Sequence, residues 1–316
     1  MGNPNALPVN TRIGGYVIMN ELGSGGFGIT YRARDLMLDR DVVIKEYFPA
    51  TFAQRLKDHT VVSRADGSQE GYEWGRGKFH QEAQILARHK HQNLVEVIRL
   101  LPNYNGTSYM VLDFIDGDNL KVWLKTLRRR PTQEELDGML YPLLDALERV
   151  HAAGHLHRDI APKNIMVNKQ AIPILIDFGA ARQIIAERSQ TLAALLTPGY
   201  APTEQYGASV RDQGPWTDIY ALAATFYEAI SGRLPPEGPE RTLEDRCVPA
   251  VEIGSGRYRQ SFLEAVDWGL KPLPKQRPQS VSEWRRMMQH AQQPRGGQTE
   301  VMPVVVVSKK NSWFSR

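Results

Sequence analysis

The chain has 316 residues, 41% hydrophobic and 23% charged, with a formal net charge of +4. These are ordinary values for a globular protein that can bury a core, and the charge is too mild to mark a nucleic-acid binder. The single cysteine, Cys247, excludes an intrachain disulfide and a cysteine-cluster metal site; it fits a reducing compartment, so a cytoplasmic location is expected.

Residues 1–11 are polar and rich in Pro and Asn, lack the basic-then-apolar order of a secretory signal, and are expected to form a flexible leader. From Tyr16 to Ile44, short β-type runs flank a glycine cluster. Residues 46–77 read as an irregular insertion with a hairpin around Val61 and Val62, and a helix is expected over 78–90, where Phe79, Ala83, Leu86 and Ala87 share a face. Strand signals return at Leu94–Leu101 and Tyr109–Phe114. After Gly117 the period becomes helical: Leu120–Leu127, Leu136–Val150, Asp218–Ile230, Phe262–Leu270 and Ser280–His290. The run Arg128-Arg129-Arg130 reads as a solvated helix end. Strands first and helices later predict an α+β, bilobal fold: a β-rich lobe over 12–116 and a helical lobe over 117–291. Residues 292–316 are expected to be a disordered or juxtamembrane tail. No apolar run approaches the ~20 residues of a membrane helix, so a membrane is an expected partner only if the chain continues past Arg316.

Three motifs carry chemistry. Gly23-Ser24-Gly25-Gly26-Phe27-Gly28 follows Leu22, and glycines let a turn bring its N–H groups close to phosphates. A dinucleotide-binding glycine motif opens a helix, whereas Ile29-Thr30-Tyr31-Arg32-Ala33 looks like a returning strand; a purely structural hairpin is the other reading. Lys45 ends the apolar run Val42-Val43-Ile44, and Glu82 is the helical acid available to pair with it; without that pair Lys45 would simply snorkel to solvent. In His157-Arg158-Asp159-Ile160-Ala161-Pro162-Lys163-Asn164, a carboxylate and an amide carbonyl five residues apart can serve one centre. Asp159 would orient an accepting hydroxyl and take its proton, while Asn164 would hold magnesium. Thirteen residues on, Asp177-Phe178-Gly179 supplies a second hard oxygen ligand.

With these motifs in this order, residues 13–290 resemble the eukaryotic-like (Hanks-type) protein kinases, above all the bacterial serine/threonine kinases. The resemblance implies ATP and Mg2+ as cofactors, with Mn2+ as an alternative metal, and protein substrates rather than nucleic acid. Leu22 to Gly28, Thr30 and Lys45 would contact nucleotide; Leu112 would close the back of the adenine pocket, with the backbones of Asp113 and Ile115 reading adenine. Asp218 resembles the aspartate that braces the catalytic loop, and Glu204 with Arg277 the ion pair that anchors the activation segment.

The chain departs from the family in places. Ser/Thr kinases usually carry lysine two residues after the catalytic aspartate; here Ala161 stands there and Lys163 is expected to replace its charge at the γ-phosphate. A lysine at that later position should also disfavour arginine just before the target residue. Pro202-Thr203-Glu204 replaces the usual Ala-Pro-Glu, and Thr197 matches the threonine that Ser/Thr kinases place beside the aspartate. Arg158 and Arg182 could receive a phosphate on Ser189 or Thr191, so autophosphorylation, with a homodimer as its setting, is the expected switch. A pseudokinase scaffold that binds nucleotide without turnover is the alternative, although each chemical step has its residue. A small-molecule kinase of the aminoglycoside type is disfavoured by Arg158 and by the segment 197–204.

Overall fold

The computed structural model of the chain describes residues 3–64, 68–178, 196–207 and 212–290. Its strands in chain order begin with β1 (Arg12–Ile13), β2 (Tyr16–Gly25), β3 (Gly28–Asp35) and β4 (Arg40–Tyr47). A short hairpin, β5 (Ala53–Arg55) with β6 (Val61–Ser63), precedes helix α1 (Ser68–Arg88), and β7 (Val97–Tyr104) and β8 (Thr107–Asp113) follow. Six strands form one antiparallel sheet in the order β1-β2-β3-β4-β8-β7, against which α1 packs. The alternation of β4 explains its seat: Val42, Ile44 and Glu46 are buried on one face, and Lys45 belongs to the other.

The helical lobe begins after β9 (Gly117–Asn119), with α2 (Leu120–Thr126), which is capped by the Asn119 side chain, and α3 (Gln133–Ala152). A capping box between Thr132 and Glu135 starts α3, and its apolar stripe from Leu136 to Val150 is buried. Strands β10 (Ile165–Asn168) and β11 (Pro173–Leu175) join β9 in a small sheet beneath the cleft. Helices α4 (Pro215–Ser231), α5 (Gly238–Leu243), α6 (Ala250–Gly254), α7 (Gln260–Gly269) and α8 (Val281–His290) complete the lobe. The buried Asn93 ties the two lobes together: its side-chain Nδ2 donates to the Pro173 carbonyl at 2.7 Å, and its backbone carbonyl accepts from the Leu175 amide at 2.8 Å. Among the described residues, no helix is long and apolar enough to cross a membrane.

Two expectations need correction. Residues 3–11 are not a flexible leader. Leu7 is buried and its amide donates to the Tyr31 hydroxyl at 3.0 Å, while the Asn5 carbonyl accepts from Arg55 Nε at 2.7 Å. The second half of the supposed irregular insertion is helical: α1 starts at Ser68 rather than near 78, despite Gly71, Gly75 and Gly77. Packing overrides propensity here, since a Cβ on Gly75 would stand 2.3 Å from the buried Tyr47 hydroxyl. The hairpin expected around Val61 and Val62 is present as β5–β6.

Candidate active site

The glycine-rich segment is the tip of the β2–β3 hairpin, with Gly25 opposite Gly28, Ser24 opposite Ile29 and Gly23 opposite Thr30. It therefore returns as a strand. Leu22 to Gly26 are exposed above the cleft, and Phe27 and Gly28 are half-buried. Gly28 has a packing reason as well, because a Cβ there would meet the Glu46 carbonyl at 2.5 Å.

Lys45, opposite Thr30 on β4, reaches across to α1. Its Nζ lies 3.0 Å from Glu82 Oε1 and also contacts Asp177 Oδ1. Glu82 is 1% exposed on the apolar face that α1 shares with Phe79, Ala83 and Leu86. Burial works against the Lys45 charge, but the carboxylates of Asp177 and Glu82 outweigh it and hold the lysine pKa above its ordinary value.

Behind the cleft, Leu112 is buried on β8 between Val43 and Val97. The Asp113 amide donates to the Glu96 carbonyl at 3.0 Å, so the adenine contact expected at this residue would fall to its carbonyl. Ile115 is half-buried two residues further on.

The loop 157–164 is held from three sides. Asp218, fully buried on α4, accepts from the amides of His157 and Arg158 at 2.8 and 2.7 Å and from His151 Nε2 at 2.8 Å. Gln205 Nε2 donates to the Arg158 carbonyl at 2.8 Å. His157 donates from Nε2 to the Ile176 carbonyl at 3.1 Å; that carbonyl can only accept, which leaves Nδ1 as acceptor for the Asp159 amide at 3.3 Å. Burial lowers the His157 pKa, so the ring stays neutral. Its ring lies against Phe178, with centroids 4.5 Å apart. These bonds hold two non-glycine residues at positive φ, Arg158 at 68° and Asp177 at 65°. Such conformations cost roughly 1–3 kcal/mol each and cluster at working sites.

Asp159 is 8% exposed. One of its carboxylate oxygens accepts from the Thr197 hydroxyl at 3.0 Å and the other from Asn164 Nδ2 at 2.5 Å, and the same amide nitrogen meets the Asp159 carbonyl at 2.8 Å. Both partners are acceptors, so the Asn164 amide is fixed with its carbonyl oxygen as the ligand end. The Ile176 amide donates to the Asn164 carbonyl at 3.0 Å, which binds the segment after β11 that carries Asp177 to the turn carrying Asn164. One carboxylate and one amide oxygen make a donor set suited to a hard cation such as Mg2+, whose remaining ligands would be phosphate oxygens and water. Lys163 is exposed on the turn Pro162–Asn164.

Glu204 and Arg277 form a bidentate buried pair at 2.7 and 3.1 Å; Thr217 adds a bond to Glu204 at 2.9 Å, and the Arg277 guanidinium also donates to the Lys271 and Pro272 carbonyls. Arg158 is half-buried, while Arg182, Ser189 and Thr191 lie outside the described residues.

Glu46 was missed as a candidate in the sequence. It is fully buried one residue from Lys45 and accepts from Tyr31, Tyr109 and Arg55 at 2.8, 2.9 and 2.7 Å. Arg55 comes from the β5–β6 hairpin, so this carboxylate joins β3, β4, β8, the insertion and the amino-terminal segment. Its signal was available: Glu46 continues the Val42, Ile44 alternation, which puts a carboxylate on an apolar face and demands a partner.

This two-lobed architecture, with a glycine hairpin over a Lys–Glu pair and a carboxylate–amide pair below, defines the protein kinase fold. A family model described as "Protein kinase domain" matches residues 16–290, and the chain belongs to that family. The solved structure described as "PpkA-294 apo form" superimposes with a TM-score of 0.81 at 38% identity, over 90% of this chain and 99% of that one. Serine/threonine-protein kinase F of Synechocystis sp. is 27% identical over 85% of this chain and 54% of its own length. The probable serine/threonine-protein kinase PknB of Corynebacterium glutamicum is 30% identical over 69% of this chain and 31% of its own. The chain thus spans about half or less of the length of these curated relatives. The Mycobacterium tuberculosis PknI kinase domain, at 22% identity and a TM-score of 0.64, shares the fold.

Proposed function

We propose that this chain transfers the γ-phosphate of ATP to serine or threonine hydroxyls of proteins. The carrying observation is the seat of Asp159, whose two carboxylate oxygens are held by Thr197 and Asn164, with Asn164 bonded in turn to Ile176, the neighbour of Asp177. Fixed in this way, Asp159 is ready to orient a substrate hydroxyl and accept its proton as that oxygen bonds to phosphorus and the bond to the leaving diphosphate breaks. The β2–β3 hairpin would cover the phosphates, and Lys45, positioned by Glu82, would neutralise their charge. Asp177 and Asn164 would hold Mg2+, which supplies charge neutralisation when bound. Lys163 would add a cation at the γ-phosphate, and the Thr197 bond supports serine or threonine as acceptor. Autophosphorylation at Ser189 or Thr191, read by Arg158 and Arg182, belongs to the same proposal, as do a cytoplasmic setting and a homodimer for the reaction.

The test is a radiolabelled ATP assay with magnesium on the wild type and on Asp159→Asn, with mass spectrometry to place the label. We expect label on serine or threonine in the wild type and a loss of about 10²- to 10⁴-fold in the variant, with nucleotide binding retained. A folded wild type that binds nucleotide but transfers nothing to itself or to generic proteins would leave a scaffold instead.

A further inference from the structure

The run Arg128–Arg130, read above as a solvated helix end, lines a groove of about 560 Å³ between α2, the turn before α3 and the end of α4. Five cations face it, Lys121, Lys125, Arg128, Arg129 and Arg130, against the single carboxylate Glu228. That carboxylate is already engaged, since Glu228 Oε2 accepts from the Tyr200 hydroxyl. Arg129 is spent on Glu135 in a bidentate pair at 2.7 and 2.8 Å. Arg130 donates to the Ser231 carbonyl at 2.7 Å and lies over Gly232, where a Cβ would fall 1.9 Å from the guanidinium. Lys121, Lys125 and Arg128 are different: all three are exposed, and none has a carboxylate partner among the described residues. Lys121 and Lys125, four residues apart on α2, share a helix face.

Two connections join this groove to the site of transfer. Helix α2 packs against the turn Pro162–Asn164, which carries the exposed Lys163. Tyr200, whose hydroxyl closes on Glu228, belongs to the same segment as Thr197, whose hydroxyl holds Asp159 at 3.0 Å. The groove therefore adjoins both the turn that carries Lys163 and the segment whose Thr197 holds Asp159.

We propose that this groove docks an acidic stretch of the protein substrate, so that Asp or Glu residues flanking the accepting serine or threonine raise kcat/KM. The inference rests on the phosphotransfer reading above and names its substrate class. A peptide is favoured over nucleic acid because these three cations adjoin the turn that carries Lys163, in a chain whose net charge is only +4. Exposed ion pairs change affinity by about 1.5- to 5-fold each, so three together are expected to shift it about tenfold.

The experiment uses the full chain and fluorescein-labelled, serine-centred peptides of equal length that carry Asp or Ala at the flanking positions. Binding is read by fluorescence anisotropy and phosphorylation by label transfer. The wild type should bind the Asp peptides about tenfold more tightly than the Ala peptides and phosphorylate them with a correspondingly higher kcat/KM. The gap should collapse in Lys121→Glu/Lys125→Glu/Arg128→Glu and shrink at high salt. Lys121→Gln/Lys125→Gln, a milder change at exposed positions, should close part of the gap. Equal binding of Asp and Ala peptides, a gap that survives charge reversal, or preference for a single-stranded oligonucleotide over the Asp peptides would overturn the proposal. The two readings separate cleanly: charge-selective binding without transfer keeps the groove and sinks the phosphotransferase, whereas transfer without charge preference does the reverse.

Discussion

Two ion pairs built from the same chemistry sit in different parts of the molecule and do different things. Glu204–Arg277 is closed: both side chains are almost fully buried, and Thr217 and backbone carbonyls take further bonds of the two groups. Lys45–Glu82 is open on one side: Glu82 is sealed in the lobe, but Lys45 keeps 18% of its side chain exposed to the cleft and divides its charge between Glu82 and Asp177. A closed pair holds two segments together. An open pair holds a charge in readiness for a third partner, and its pKa, raised by the carboxylates against the cost of burial, keeps that charge in place across the physiological range.

Breaking each pair should separate these roles. The largest effect on chemistry is expected from Lys45→Met, which should lower phosphotransfer by at least about 10²-fold while the protein remains folded. Arg277→Met should instead cost about 3–5 kcal/mol in a urea titration, because it strands the Glu204 carboxylate in the interior. If Arg277→Met, assayed at a temperature where it is folded, raised the KM for ATP as much as Lys45→Met does, the distinction between closed and open would fail.

The open site was the more legible of the two regions. Lys45, Asp159, Asn164 and Asp177 stand in short motifs, Glu82 is the helical acid that Lys45 requires, and the structure pairs Lys45 with Glu82 and Asp177 and Asp159 with Asn164. Glu204 and Arg277, 73 residues apart, were reachable only through the family resemblance, because no local pattern marks a contact that distant. The insertion was read poorly for a physical reason. Glycines argue against a helix when counted along the chain, yet Gly75 is the residue that lets α1 lie on Tyr47. The amino-terminal segment misled in the same way: its polar composition suggested freedom, but the acceptor for Arg55 Nε is a backbone carbonyl, which composition does not reveal.

Gly75→Ala sharpens that point. A bare helix would gain stability from the exchange, but this one should lose about 1–3 kcal/mol by overpacking against Tyr47, measured by thermal or urea unfolding. A stabilised Gly75→Ala would mean that Tyr47 yields easily and that packing does not set the path of α1.

The smallest effect is one of pH. His157 is kept neutral by burial, with its pKa below the ordinary histidine value. In the unfolded chain it takes up a proton as pH falls through about 6.5, before the folded protein does. Stability should therefore be complete above that pH and decline below it by up to about 1.4 kcal/mol per pH unit, until the folded-state pKa is reached. His157→Asn should remove this part of the slope between pH 7 and pH 5; an unchanged slope would assign it to other groups.

The Glu46 hub has a consequence for how such chains can diverge. A carboxylate buried in the sheet, one residue from Lys45, is tolerable only while the β5–β6 hairpin delivers Arg55 and two tyrosines deliver their hydroxyls. Deleting the hairpin alone would strand the charge, and replacing Glu46 alone would strand the arginine. The two must be gained or lost together, so a descendant with a shorter insertion should carry an apolar residue at the position of Glu46.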